Sequence, residues 1–297
     1  MKCRSVLTRI DALRTAELQT FEAREVEEHL GRCASCHDSA DDVASFASAI
    51  RSCAKTPGRS LAGSLAAAVG DAVDCFEVDG QNVYVAFSKH GIRLIDLRAK
   101  SIEEFRRAYA ARFGRELHEE SLSNREREAI ELALRGKTAK RPEIDLSDLT
   151  EFEQKVLHTI LNIPRGEVRT YEWVARAAGR PKAIRAVGNV MATNPVPFLL
   201  PCHRVVPTAG GIGNYGFGSA MKRTLLAAEG APVEELETLA QHGVRFIGSR
   251  TTKIFCCPTC RDARRIRQEN RVGFHDAAEA RHDGYRPCKR CAPAVAA

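Results

Sequence analysis

Phe198-Leu199-Leu200-Pro201-Cys202-His203-Arg204-Val205 is an apolar run that ends in a cysteine set between a proline and a histidine, and a glycine-rich loop follows it. The pattern reads as a short buried strand delivering a thiol to a loop edge. A thiolate is the reactive form of cysteine, and an adjacent imidazole can remove its proton directly or through water. A lone cysteine more often serves as a small buried hydrophobe, so Cys202 is a candidate nucleophile only in context.

That context is extensive. Thr170-Tyr171, Arg185-Ala186-Val187-Gly188-Asn189, Asn194-Pro195, Gly213-Asn214-Tyr215-Gly216, Lys222, and Leu225-Leu226 through Glu229-Gly230 surround the Pro201–Val206 hexapeptide. In order and spacing they resemble the O6-alkylguanine-DNA alkyltransferase family over residues 72 to 232. The resemblance implies direct-reversal repair, with the alkyl group of O6-alkylguanine in double-stranded DNA passing irreversibly to Cys202. It also implies the roles. His203 acts as base and Glu229 orients it; Asn194 ties strand to helix near the site; Tyr171 crowds the phosphate and meets the flipped base. Arg185 fills the vacated stack, Gly188 lies on the helix that approaches the minor groove, and Tyr215, Gly216 and Lys222 line the base pocket. A protein of this kind reacts once per molecule.

The chain has 297 residues, 44% hydrophobic and 28% charged, and no apolar run long enough to span a membrane. Its start, Met1-Lys2-Cys3-Arg4, lacks a signal-peptide core. A cytoplasmic monomer without membrane contact or organic cofactor is expected. In that compartment eleven cysteines point to metal binding or catalysis rather than disulfides. Cys53 and Cys75 have no evident partners. The net charge of +7 is uneven: residues 250–297 carry eleven Lys/Arg against five Asp/Glu, and residues 1–50 carry six against nine. The basic end suits phosphate; the acidic end would be repelled by DNA.

Residues 1–52 read as helices. His29 and Cys33 share a helix face, Cys36 follows one turn later, and Cys3 can complete a Cys3His zinc set. The pattern resembles the zinc-containing anti-sigma-factor domains, which implies a sigma factor as a partner and, as the alternative function, an alkylation sensor acting on transcription. Cys256 and Cys260, then Cys288 and Cys291, form a C-x3-C and C-x2-C pair separated by 27 residues, a strong zinc signal. With Glu269-Asn270, Glu279-Ala280 and Gly284–Pro287 they resemble the metal-binding domain of Ada-type regulators, which implies Cys256 as a second methyl acceptor, from methylphosphotriesters. Two features depart from that family: the domain follows the alkyltransferase rather than preceding it, and Cys257 stands where an arginine is usual.

Between these ends, residues 53–71 read as a linker with a short helix near Ser64–Val69. Phe76–Val78, Val83–Phe87 and Ile92–Leu97 read as strands. Ser101 with Glu104, and Thr150 with Glu153, are capping boxes that open helices, and another helix covers Asn124–Leu134. Tyr171–Ala178, the turn Gly179-Arg180-Pro181 and Lys182–Ala192 form a helix-turn-helix. The expected fold is multidomain α+β: an antiparallel sheet domain over 72–145, a winged-helix-like catalytic domain over 146–233, and zinc modules at 1–52 and 247–294.

Overall fold

The computed structural model describes residues 2–15, 17–53 and 70–293. The segment expected to hold a short helix near Ser64–Val69 lies outside them. Two units separate, Met1–Leu65 and Ala66–Ala297.

In the first unit, helices α1 (Cys3–Leu7), α2 (Ile10–Arg14), α3 (Thr20–Leu30) and α4 (Ala34–Cys53) close around Val6, Ile10, Val26 and Cys36. A core that small is marginal by itself, which is where a metal staple contributes most.

The second unit begins with strands β1 (Asp71–Val78), β2 (Gln81–Ser88) and β3 (Gly91–Asp96), paired antiparallel in sequence order. Asp79-Gly80 joins the first two with both φ angles positive, the geometry of a tight hairpin turn. Strand β1 starts at Asp71, five residues ahead of the alternation read from sequence. Asp71 and Asp74 disguise it because both are buried as ion-pair partners rather than turned to water. Asp71 accepts from Tyr109 Oη at 2.5 Å, and Asp74 takes a two-pronged Arg127 at 2.8 and 2.9 Å. A short fourth strand, β4 (Leu117–Glu119), lies parallel to β1 and carries no sequence pattern of its own.

Helix α5 (Ile102–Phe113) covers the sheet, and α6 (Asn124–Leu134) follows. Ser101 caps α5 as expected, but the Glu104 carboxylate reaches back to the Lys100 amide rather than to Ser101, so the box is not reciprocal. The box at Thr150 and Glu153 is complete and opens α7 (Glu151–Ile160). A second complete box, Ser123 with Glu126, opens α6.

Helices α8 (Tyr171–Ala177) and α9 (Ile184–Ala192) form the helix-turn-helix. The second helix starts two residues later than expected, with Ala183 as its N-cap. Gly179 turns the chain at φ +79°. Val156, Leu157, Ile160, Val174, Val187 and Leu200 join strand residues Val83, Val85, Ile92 and Ile95 in one core, so the sheet and the helix-turn-helix pack as one body. After α10 (Ser219–Ala228) and α11 (Val233–Gln241), the chain closes with a four-stranded sheet. Its strands are β7 (Phe246–Ser249), β8 (Ile254–Cys256), β9 (Arg271–Phe274) and β10 (Arg286–Pro287), ordered β10-β8-β7-β9. None of these four strands was expected from sequence. Among the described residues, no helix is long and apolar enough to cross a membrane.

Candidate active site and metal centres

Strands β5 (Arg169–Thr170) and β6 (Val205–Val206) pair in parallel and bracket the site. Cys202 does not end a strand. It opens a 3-10 turn, Cys202–Arg204, after a buried bend in which Phe198 holds a φ of +71°. Pro195, Pro197 and Pro201 remove the amide donors that a ladder would need, so the apolar run turns instead of extending. Asn194 fixes the bend: its Nδ2 donates to the Leu200 carbonyl at 3.0 Å and its Oδ1 accepts from Val196 N–H at 3.1 Å.

Cys202 is 6% exposed. Burial raises its pKa, and hydrogen bonding from Asn194 and Tyr215 and the Lys222 charge oppose that rise. The Tyr215 hydroxyl is buried with no hydrogen bond of good geometry, and the nearby thiol is what it faces. Burial, then the thiolate charge, keeps that phenol protonated. Lys222, 1% exposed, donates Nζ to the carbonyls of Val205 (2.7 Å) and Asn214 (3.2 Å). Burial lowers its pKa to about 8 against the pull of the thiolate.

His203 is equally buried. Its Nε2 meets Glu229 Oε1 at 3.1 Å, while Nδ1 has no hydrogen-bond partner among the described residues. Burial depresses the imidazole pKa, with Glu229 working the other way. Burial alone would raise the Glu229 carboxyl, but bonds from His203 and Arg204 bring it to about 2. Arg204 holds that carboxylate with two prongs, at 2.8 and 2.7 Å, and donates to the Ile163 carbonyl. The sequence offered no sign of this role beyond Arg204's place in the hexapeptide.

Tyr171 opens α8, half-buried. Its pKa is raised by burial and then by the Cys202 charge, so it borders the same site. Arg185 and Gly188 are elsewhere, on α9: Arg185 is exposed, and a Cβ added at Gly188 would meet nothing within 4 Å. Internal packing therefore does not require that glycine. Gly216 is likewise open.

Cys202 opens into a cavity of about 160 Å3 walled on one side by Asn194, Tyr215, Gly216 and Phe217. The opposite wall comes from the sheet domain, through Leu94, Asp96, Arg98 and Arg112. No chemistry was expected of that domain. Arg98 lies over the Phe217 ring at 5.2 Å, and Arg112 donates to the Thr193 carbonyl at 2.9 Å.

Among the described residues, two clusters can hold a metal. The ligand atoms of Cys256, Cys260, Cys288 and Cys291 lie within 4.8 Å of one another, and all four residues are buried. A tetrahedral zinc with ~2.3 Å bonds needs sulfurs about 3.8 Å apart, so the set fits. Cys257 is outside the cluster, its N–H directed to Cys291 Sγ at 3.4 Å. Cys3, His29, Cys33 and Cys36 meet the same 4.8 Å limit. There Cys3 and Cys33 Sγ are 4.0 Å apart, and His29 Nε2 is buried without a partner among the described residues, a fit for a cation. Beside Cys256 and Cys288 lies a cleft of about 430 Å3 edged by Thr251, Thr252, Arg265, Arg267 and Asn270.

Residues 151–231 match the family described as 6-O-methylguanine DNA methyltransferase, DNA binding domain, and residues 238–294 match the metal binding domain of Ada. Similar proteins named methylated-DNA–protein-cysteine methyltransferase occur in rat (47% identical, covering 33% of this chain and 46% of the relative), human (52%, covering 27% and 39%) and Mycobacterium leprae (45%, covering 29% and 52%). The chain thus spans about half the length, or less, of the curated relatives it matches.

Proposed function

We propose that the chain is a methylated-DNA–protein-cysteine methyltransferase, a reading supported by the family matches over residues 151–231 and 238–294, and that it repairs DNA by moving the alkyl group of O6-alkylguanine onto Cys202. The carrying observation is one buried thiol, acted on by Asn194, Tyr215 and Lys222, that is next in the chain to the buried His203–Glu229 pair. In the step proposed, Sγ bonds to the alkyl carbon as the carbon–O6 bond breaks, and the electron pair leaves with guanine. The thiol proton passes toward His203 Nδ1, and Glu229 stabilises the imidazolium. Tyr215 and Lys222 donate toward the developing anion. The product thioether has no group on the chain to reverse it, so each molecule reacts once.

The target base lies inside the duplex and has to be flipped out, at a cost of a few kcal/mol. Exposed Arg185 is assigned to the vacated stack and Tyr171 to the rotated nucleotide. Gly188 and Gly216 leave room for close approach of backbone or base. We assign these tasks to a sheet domain ending near residue 145 and a catalytic domain over 146–233, the sheet domain opening at Asp71.

Single-turnover transfer of labelled methyl from duplex DNA tests the base. Because burial lowers the His203 pKa below 6.5, the imidazole stays neutral into mild acid. The rate is expected to hold from pH ~7.5 to ~6.5 and to fall only below that, as protonation removes the acceptor. A fall centred at or above the ordinary histidine value would count against His203 as the base.

Both clusters are assigned to zinc, which keeps bound thiols deprotonated when present. Native mass spectrometry should find two zinc ions per chain, and one after either Cys260→Ser with Cys288→Ser or Cys3→Ser with Cys33→Ser. A count of one in the unmodified protein contradicts the N-terminal site. The arginine-edged cleft beside Cys256 supports a second acceptor, taking methyl from a methylphosphotriester, whose phosphate Arg265 and Arg267 would meet.

The sensor alternative is not favoured, since the matched families and the named relatives are methyltransferases and metal-binding domains. Sigma-factor binding by the N-terminal unit has one supporting observation. Phe21 and Leu7 are 72% and 49% exposed on an acidic set of helices. Capture of a purified sigma factor that Phe21→Ala abolishes would support it, and no capture would dismiss it.

A further inference from the structure

Three of the most deeply buried polar side chains gather at one seam, apart from Cys202 and outside both metal clusters. Glu167 and Arg169 are each 3% exposed, and Thr259 is fully buried. Glu167 accepts from Arg169 at 2.6 Å and, through its other oxygen, from the Arg261 N–H at 3.1 Å. Thr259 Oγ1 accepts from the Val168 N–H at 2.9 Å. Trp173 Nε1 donates to the Cys291 carbonyl at 2.9 Å.

On the metal side these bonds end on the two neighbours of Cys260 and on Cys291 itself. On the other side they end on residues 167–173. Within that segment, Arg169–Thr170 pairs with Val205–Val206 directly after the Cys202 turn. Thr170 also caps α8, its side chain accepting from the Trp173 N–H. One more bond, Arg264 to the Gly230 carbonyl at 3.1 Å, lands next to Glu229. Buried polar groups are tolerated only when paired, so the seam holds as a connected set or loosens as one. The loop from Cys256 to Arg261 carries two of the four thiols and owes its shape to the metal they share.

We infer that Glu167, Thr259 and Trp173 are positioning residues that make the placement of α8, and of Tyr171 beside Cys202, depend on metal held by the C-terminal cysteines. This rests on the reading of Cys202 as the alkyl acceptor. Coupling of binding free energies is reciprocal: to the extent that metal strengthens DNA binding by the helix-turn-helix, bound DNA strengthens metal binding at the cluster by the same factor.

The test uses the full chain, reduced, with zinc or after chelation, as wild type and as Thr259→Val with Trp173→Phe. The double variant keeps all four cysteines and removes three seam bonds, the two between Thr259 and Val168 and the one from Trp173 to Cys291. Their loss corresponds to roughly tenfold. Chelation is expected to slow wild-type transfer to Cys202 about tenfold. The double variant is expected to start about that slow, with full zinc, and to change less than twofold on chelation. Purely additive slowing, or a wild type indifferent to chelation, overturns the coupling. Hydrogen exchange gives an independent reading. Chelation should expose amides of Tyr171–Ala177 while strands Asp71–Val78 and Gln81–Ser88 stay protected. Equal loss in both regions, or none at α8, overturns the inference. If zinc-loaded wild type transfers nothing, the acceptor reading fails, and exchange at α8 still decides the coupling.

Discussion

Cys202→Ala protein is expected to take up no alkyl group from duplex DNA carrying O6-methylguanine, while its zinc content stays at the wild-type value. The expectation follows from the absence of any other thiol along the cavity that Tyr215, Asn194 and Phe217 share with Cys202. Alanine removes one small buried atom, a change that costs on the order of 1 kcal/mol in a packed site, so the protein should fold. Binding should also persist, because the helix-turn-helix face with Arg185 and Gly188 is untouched. A gel-shift titration beside the transfer assay separates the two effects. Residual transfer above about a hundredth of the wild-type rate would mean that another cysteine is the acceptor.

Glu229→Gln is expected to produce the other large effect, on rate and stability together. The Glu229 side chain is 4% exposed and bonded to both His203 and Arg204. Glutamine keeps the shape but removes the charge that two buried cationic or polarised groups rely on. Losing one partner of a buried pair costs about 3 kcal/mol, visible as a lower denaturation midpoint. Transfer should slow roughly a hundredfold, since the base loses its orienting and stabilising carboxylate. The pH dependence separates this from simple misfolding. The Glu229 carboxyl titrates at about 2 in the folded chain against 4.5 ordinarily. Its contribution to stability is therefore complete above the ordinary value and is lost as pH falls toward 2. The glutamine variant should lack that part of the acid-induced loss.

Local chemistry was what the sequence disclosed most readily. Caps at Ser101 and Thr150 set helix starts within one residue, because a cap and the amide it serves are three positions apart. The eight residues picked by cysteine and histidine spacing are the same eight whose ligand atoms converge in two clusters. Long-range pairing hid the rest. Asp71 reads as linker, and Asp74 as sheet-domain chain ahead of the first strand, until Tyr109, some forty positions from Asp71, and Arg127, more than fifty from Asp74, pair with them in the core. The apolar run before Cys202 reads as strand, but three prolines forbid the ladder. The sheet-domain wall of the cavity depends on packing such as the Ile95 N–H bonded to the Pro195 carbonyl at 2.8 Å, a hundred residues apart. Glu167 and Thr259, ninety-two positions apart, belong to one seam with no local pattern at all.

The most direct measurement is intact mass and peptide mapping of reduced, zinc-loaded protein after incubation with duplex DNA holding a single O6-methylguanine. The account predicts a gain equal to one methyl in place of hydrogen, once per chain, on the peptide that contains Cys202. An unchanged mass, or a gain carried only by another peptide, would contradict it.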